Sequence, residues 1–319
     1  MRVPDTITQC VGFLGAPSAD DPEEIVVRGT VFFVSVPSEM RPESRRYEHL
    51  VTAHHRLNRV GTLPLSVRLN AFTATADRVA TDIPIGDALD WYTHPTEGEQ
   101  DALPVDVAVL PWKADHTAFE YWCVPVDLLL RDEMSAGADE DGTHIGLGDE
   151  VCIPALFTRG TGRRLNLPIV RMGALALMPT EPVRTRSGAV EIDMEAYLIE
   201  ARSLGGLSGA PVFVRSAMDV GVSREMQLLG LMHGHWDPPP GAIHDAVTDA
   251  AMTGEETGEE TGEETAEAVT RGIGLVVPAK KIREALYQPE LVELRAHHDR
   301  AIERKRLPTR DAGADQAGT

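Results

Sequence analysis

The chain has 319 residues and a mass of 34.7 kDa, more than one small domain needs and enough for two packed lobes. Hydrophobic residues make up 42% and charged residues 25%, so substantial cores can be buried. The net charge of −20, with no local basic patch against it, excludes general affinity for nucleic-acid backbones or an anionic membrane surface. Cys10, Cys123 and Cys152 are too few and too scattered for a disulfide framework or a zinc knuckle. The first residues lack an apolar signal core, and no run approaches the ~18 apolar residues that span a bilayer. A reducing cytoplasm with buried, inert thiols is the expected setting.

In chain order, short β-rich runs are predicted at 25–36, 47–52, 65–71, 105–110, 150–157, 169–177, 196–202, 210–214, 227–232 and 272–277. None keeps a 3.6-residue period; Val, Ile, Leu and Phe dominate them, and Gly, Pro, Asp and Asn separate them. Many short strands between turn signals predict a barrel or sandwich. Helical character comes late, at 279–286 after Pro278 and again at 289–305, followed by a polar tail at 307–319. One segment is of low complexity: Thr-Gly-Glu-Glu occurs three times in tandem between 253 and 264. A block of like charges with a glycine every fourth residue cannot form a core, so an acidic loop inserted near 238–268 into a β-hairpin is expected.

Three motifs carry chemistry. The first is the strand Gly29-Thr30-Val31-Phe32-Phe33-Val34 followed by Leu50-Val51-Thr52-Ala53-His54-His55. The second, Val105-Asp106-Val107-Ala108, sets an aspartate at the head of an apolar strand. The third is Gly205-Gly206-Leu207-Ser208-Gly209-Ala210-Pro211. Taken singly, each reads as ordinary turn or strand chemistry. Together they supply a nucleophile, a base and an orienting carboxylate, the nucleophile in a glycine-rich loop with free backbone N–H groups.

In these motifs the chain resembles the chymotrypsin/trypsin-like serine peptidases, above all their bacterial branch. Thr52-Ala53-His54-His55 matches the segment around the family's base, Asp106-Val107-Ala108 the orienting acid, and Gly206-Leu207-Ser208-Gly209-Ala210-Pro211 the nucleophile, in the chymotrypsin order His, Asp, Ser. The strand Leu229–Gly234 and the closing run Gly272–Pro278 also fit the pattern, and the resemblance spans roughly residues 10–287. Leu207 stands where the family has Asp or Asn, and Ala210 where it has a second Gly. The resemblance implies an all-β fold, a double six-stranded β-barrel of chymotrypsin-like form with a C-terminal helix. Residues 1–120 would form the first lobe, 121–278 the second with its acidic insertion, and 279–319 the helix and tail.

It also implies roles. His55 is the base by register with Thr52-Ala53, His54 being the alternative; Asp106 is the orienting acid and Ser208 the nucleophile. The N–H groups of Gly206 and Ser208 would form the oxyanion hole. Arg202, His233 and Gly234 would line the substrate pocket, where a cation would suit an acidic side chain of the substrate. The pair His233-x-His235 reads more simply as two residues on one face of a strand, and as a metal site it lacks a third ligand. No metal or organic cofactor is required. The expected activity is serine endopeptidase on a polypeptide substrate. The alternatives are a catalytically silent protease-fold binding or sensor module, and an esterase using the same three residues.

Overall fold

The computed structural model describes residues 3–18, 20–75, 77–131, 145–156, 164–187, 190–201, 207–215, 226–236 and 272–306. After a short helix α1 (Asp5–Gln9), nine strands build the first sheet: β1 (Val11–Pro17), β2 (Ile25–Pro37), β3 (Arg46–Thr52), β4 (Ser66–Phe72), β5 (Arg78–Pro84), β6 (Tyr92–Thr93), β7 (Ala108–Pro111), β8 (Phe119–Glu120) and β9 (Val124–Pro125). Their order is β5-β4-β1-β2-β3-β7-β6, with β8 on β4 and β9 on β2. Six of them are true strands; β6, β8 and β9 are two-residue additions. Helix α2 (His54–Val60) follows β3 directly.

The second sheet closes. Strands β10 (Glu150–Leu156) and β11 (Pro168–Leu177) precede a separate antiparallel hairpin of β12 (Val183–Ser187) and β13 (Val190–Met194). Then come β14 (Tyr197–Glu200), β15 (Pro211–Arg215), β16 (Gln227–His235) and β17 (Ile273–Pro278). The barrel runs β10-β11-β14-β17-β16-β15 and back to β10. Because β16 and β17 pair antiparallel, the chain between them joins neighbouring strands. The acidic repeat belongs to that segment and lies outside the described residues, as do 307–319, Arg202 and Gly206. The chain is thus all-β with a closed six-stranded barrel, and it ends in two helices, α3 (Ala279–Leu286) and α4 (Pro289–Arg306). Among the described residues, no helix is long and apolar enough to cross a membrane.

Strand β2 explains why its sequence is apolar without alternation. Phe32, Val34 and Val36 point into the core shared with the barrel, whereas Val31 and Phe33 point into a second core with Leu50, Trp91 and Tyr121. Successive side chains of a strand face opposite ways, so a strand buried on both faces is apolar at every position. Phe33 packs against the tilted rings of Trp112 and Tyr121, with ring centroids 5.7 and 5.0 Å away.

The C-terminal helices serve both sheets. Helix α3 buries Ala279, Ile282, Ala285 and Leu286, the i, i+3, i+4 spacing of an apolar stripe. Helix α4 returns to the β2–β3 turn, where the buried Asp299 accepts hydrogen bonds from Ser38 Oγ (2.7 Å), Arg45 Nη1 (2.7 Å) and Tyr47 OH (2.8 Å). Burial alone would raise the Asp299 carboxyl, but these donors outweigh it and hold it below its usual value. A depressed folded-state value means stability that is present above the unfolded carboxylate range and lost as pH falls. Asp299→Ala is expected to cost about 3 kcal/mol near neutrality, since it strands three donors. Denaturant unfolding at pH 7 and pH 3 checks this, because the gap between variant and wild type should shrink in acid.

Candidate active site

The helix after β3 begins without a cap of its own, since Ala53 offers no side-chain acceptor. The carboxylate of Asp106 fills that role from the segment before β7. Its Oδ1 accepts the His55 backbone N–H at 2.7 Å, and its Oδ2 lies 2.7 Å from His55 Nδ1. The two contacts fix both the position of the residue and the rotation of its ring. They also select the tautomer with the proton on Nδ1, leaving the His55 Nε2 lone pair free. His54 points elsewhere, its Nδ1 lying 3.6 Å from Glu97 Oε1.

Asp106 is 9% exposed and has a third donor. His233 Nδ1, on β16 of the barrel, lies 2.5 Å from the same Oδ2, and the two imidazoles meet edge to face with centroids 5.1 Å apart. Burial alone would raise the Asp106 carboxyl; hydrogen bonds from His233 and His55 reverse that and hold it far below the usual carboxylate range. For His55 the balance runs the other way. Burial pulls the imidazole down, the attraction of Asp106 offsets part of this, and neighbouring His233 and Arg56 add to the lowering.

Ser208 sits in a tight turn held from both sheets. Its carbonyl accepts the N–H of Thr30 on β2 at 3.3 Å, while Gly209 N–H donates to Met232 O on β16 at 2.8 Å and Met232 N–H donates to Ala210 O at 2.8 Å. Gly209 has φ +87°, and a Cβ there would stand 2.2 Å from Thr30 O and 2.6 Å from Thr52 Oγ1, so only glycine fits. The two departures from the peptidase pattern have a packing reason: Leu207 and Ala210 are both buried in the core shared by the sheets. Ser208 itself is 6% exposed, and its Oγ lies 3.8 Å from where a Cβ on Gly234 would be. The absent side chain at Gly234 therefore leaves the space in front of the hydroxyl open.

The structure thus brings His55 and His233 onto Asp106, and sets Ser208 beside Gly234, the residue that follows His233 on β16. Gly206 and Arg202, expected as an oxyanion donor and a pocket residue, lie outside the described residues. The Nδ1 of His233, a residue expected in the substrate pocket, is engaged by Asp106. The reason is a bulge: β16 pairs Met232 with Val276 and Gly234 with Leu275, leaving His233 as an extra residue that breaks the strand's alternation. The glycine inside an apolar strand was the one sequence signal for it.

His55, Asp106 and His233 also bring one ligand atom each within 4.8 Å of one another. The contacts of 2.7 and 2.5 Å to Oδ2 are hydrogen-bond lengths, whereas two ligands of one tetrahedral zinc ion, each ~2.0–2.1 Å from it, stay roughly 3.3 Å apart. As placed, the cluster is spaced for shared protons.

No protein-family model matches the chain, and no curated protein does. Among solved structures it is similar to the Rv3671c protease of M. tuberculosis in its active form, at 14% identity and a TM-score of 0.40, over 88% of this chain and 81% of that one. An inactive serine-to-alanine form of the same protein aligns at 15% identity and a TM-score of 0.38, over 89% and 90% of the two chains. These are distant likenesses.

Proposed function

We propose that the chain is a serine endopeptidase that cleaves polypeptides through Ser208, His55 and Asp106. The observation that supports this best is the double anchoring of His55 on Asp106, by backbone N–H and by ring Nδ1, together with a Ser208 turn clamped to Thr30 and Met232. In this reading Ser208 Oγ attacks the carbonyl carbon while His55 Nε2 takes its proton. The tetrahedral intermediate collapses as the imidazolium returns that proton to the leaving amine, giving an acyl-enzyme. Water, activated by the same imidazole, then releases the acid. Asp106 stays ionised throughout and stabilises the imidazolium. Backbone N–H groups of Gly206 and Ser208 take the oxyanion, a contribution of about 3 kcal/mol per donor. The first sheet, within a lobe of residues 1–120, supplies base and acid; the lobe of 121–278 supplies the nucleophile.

A serine-directed fluorophosphonate tests the proposal, since covalent labelling needs an activated hydroxyl. Wild-type protein is expected to label at Ser208; labelling no faster than in Ser208→Ala would leave a silent binding module. The pH profile carries a further expectation. A base whose value is lowered by burial stays neutral further into acid, so the labelling rate should fall only below the ordinary imidazole range of about 6.5. An acid limb above that range would contradict the assignment of His55.

A further inference from the structure

Resting on the reading above, we infer that His233 is a positioning residue that holds Asp106 in the orientation His55 needs. Three independent features converge on it. The bulge of β16 at His233 serves no pairing of its own and turns this one side chain out of the strand's alternation. The ring it redirects makes the shortest contact of the cluster, 2.5 Å to Asp106 Oδ2, with only 15% of the side chain exposed. And its neighbours on the same strand, Met232 and Gly234, are the ones that clamp and face the Ser208 turn.

The arrangement ties three pieces of chain into one unit. Asp106 lies in the first sheet's segment and would otherwise answer only to His55, 51 residues earlier. His233 links that carboxylate to the barrel strand that fixes the nucleophile turn, so acid and nucleophile share one reference frame. For both rings to donate to Oδ2, both must carry their proton on Nδ1, and the edge-to-face contact at 5.1 Å limits rotation of His55 toward β16. Asp106 and His55 are the titratable groups in direct contact with the His233 ring among the described residues. A donor on Oδ2 also takes a share of the negative charge that would otherwise favour the His55 imidazolium.

Two consequences separate positioning from mere packing. Without His233, Asp106 loses one of three donors and becomes free to turn, so His55 spends less time correctly oriented. With more of the carboxylate's charge directed at it, His55 becomes easier to protonate. His233→Ala should therefore lower the fluorophosphonate labelling rate about 10- to 100-fold, short of the ~10⁴-fold that losing the acid's role costs. Its acid limb should also move to higher pH. His233→Asn, whose amide N–H falls where Nδ1–H does, should recover most of the rate.

The test measures labelling rate against pH for wild type, His233→Ala and His233→Asn, with circular dichroism and melting to establish folding. It is paired with proton NMR of the His55–Asp106 hydrogen-bond proton in a Ser208→Ala background, which needs no turnover. That signal should broaden by faster exchange in the alanine variant and return in the asparagine variant. A folded alanine variant with wild-type rate, unmoved acid limb and unchanged proton signal would overturn the positioning role; so would an asparagine variant no better than alanine. If wild type fails to label while the proton signal still depends on His233, the peptidase reading falls and the positioning role stands.

Discussion

Replacing His55 with alanine is expected to reduce serine-directed labelling by about 10⁴- to 10⁶-fold, down to the background of Ser208→Ala. The size follows from the chemistry: without a base the hydroxyl is a poor nucleophile. His54→Ala should keep labelling within a few-fold of wild type. Asp106 holds His55 by ring and backbone, whereas His54 lies beside Glu97. The double variant Ser208→Ala/His55→Ala should be no worse than either single one, since in the proposed mechanism the two residues act as a unit. Loss of labelling with His54→Ala and its retention with His55→Ala would move the base by one residue.

The second large effect is expected from one methyl group. Gly209→Ala puts a Cβ 2.2 Å from Thr30 O and 2.6 Å from Thr52 Oγ1, at a φ of +87° that side chains rarely adopt. Thr52 Oγ1 already donates to Thr30 O at 2.9 Å, so neither atom can yield without losing that bond. The left-handed conformation alone costs about 1–2 kcal/mol, and the clash should bring the loss to roughly 2–4 kcal/mol. Labelling should fall at least about 100-fold in whatever protein remains folded, because the Ser208 turn must shift and small displacements at a reacting atom are costly. Gly61→Ala is the matched control: φ is +65° but nothing lies within 4 Å, so it should cost about 1 kcal/mol and leave labelling alone. Calorimetry with labelling of both variants checks the pair; a Gly209→Ala protein that labels normally would refute the account of the turn.

How far the sequence foretold this molecule depends on where burial falls. Runs such as 25–36 and 227–232 were legible because strands inside a packed structure must be apolar, and they emerge as β2 and β16 with ends shifted by a few residues. Strand β1 was not, because Gly12 and Gly15 dilute its pattern. Those glycines let β2 and β4 approach closely: a Cβ on Gly12 would meet Val67 at 2.9 Å, and one on Gly15 would meet Ile25 at 2.5 Å. Strand β5 and the β12–β13 hairpin were missed because they lie half in water and carry polar residues. Helix α2 is too short to show a period. At the site, His55, Asp106 and Ser208 were singled out as candidates through ordered motifs, each short but informative in combination. The partnership of His233 with Asp106 was not, since a strand read by alternation assigns every side chain to a face, and a bulge cancels that rule from one residue onward.

The hydrogen bond from Ser38 to Asp299 spans 261 positions of chain. Its meaning is kinetic as well as static. The β2–β3 turn forms early in the sequence, yet its polar groups find their partner only on a helix that follows the whole barrel. Closing so long a loop is slow, and contacts of such high sequence separation are made late on the way to the native state. The first sheet therefore completes its polar pairing only once α4 has docked. A chain that has not yet threaded α4 back across the first sheet leaves Arg45 and Tyr47 unpaired, together with the apolar side of α4 around Leu291 and Leu294. The polar pairing of the β2–β3 turn would then wait on the arrival of α4, which makes that helix a late lock on the first sheet.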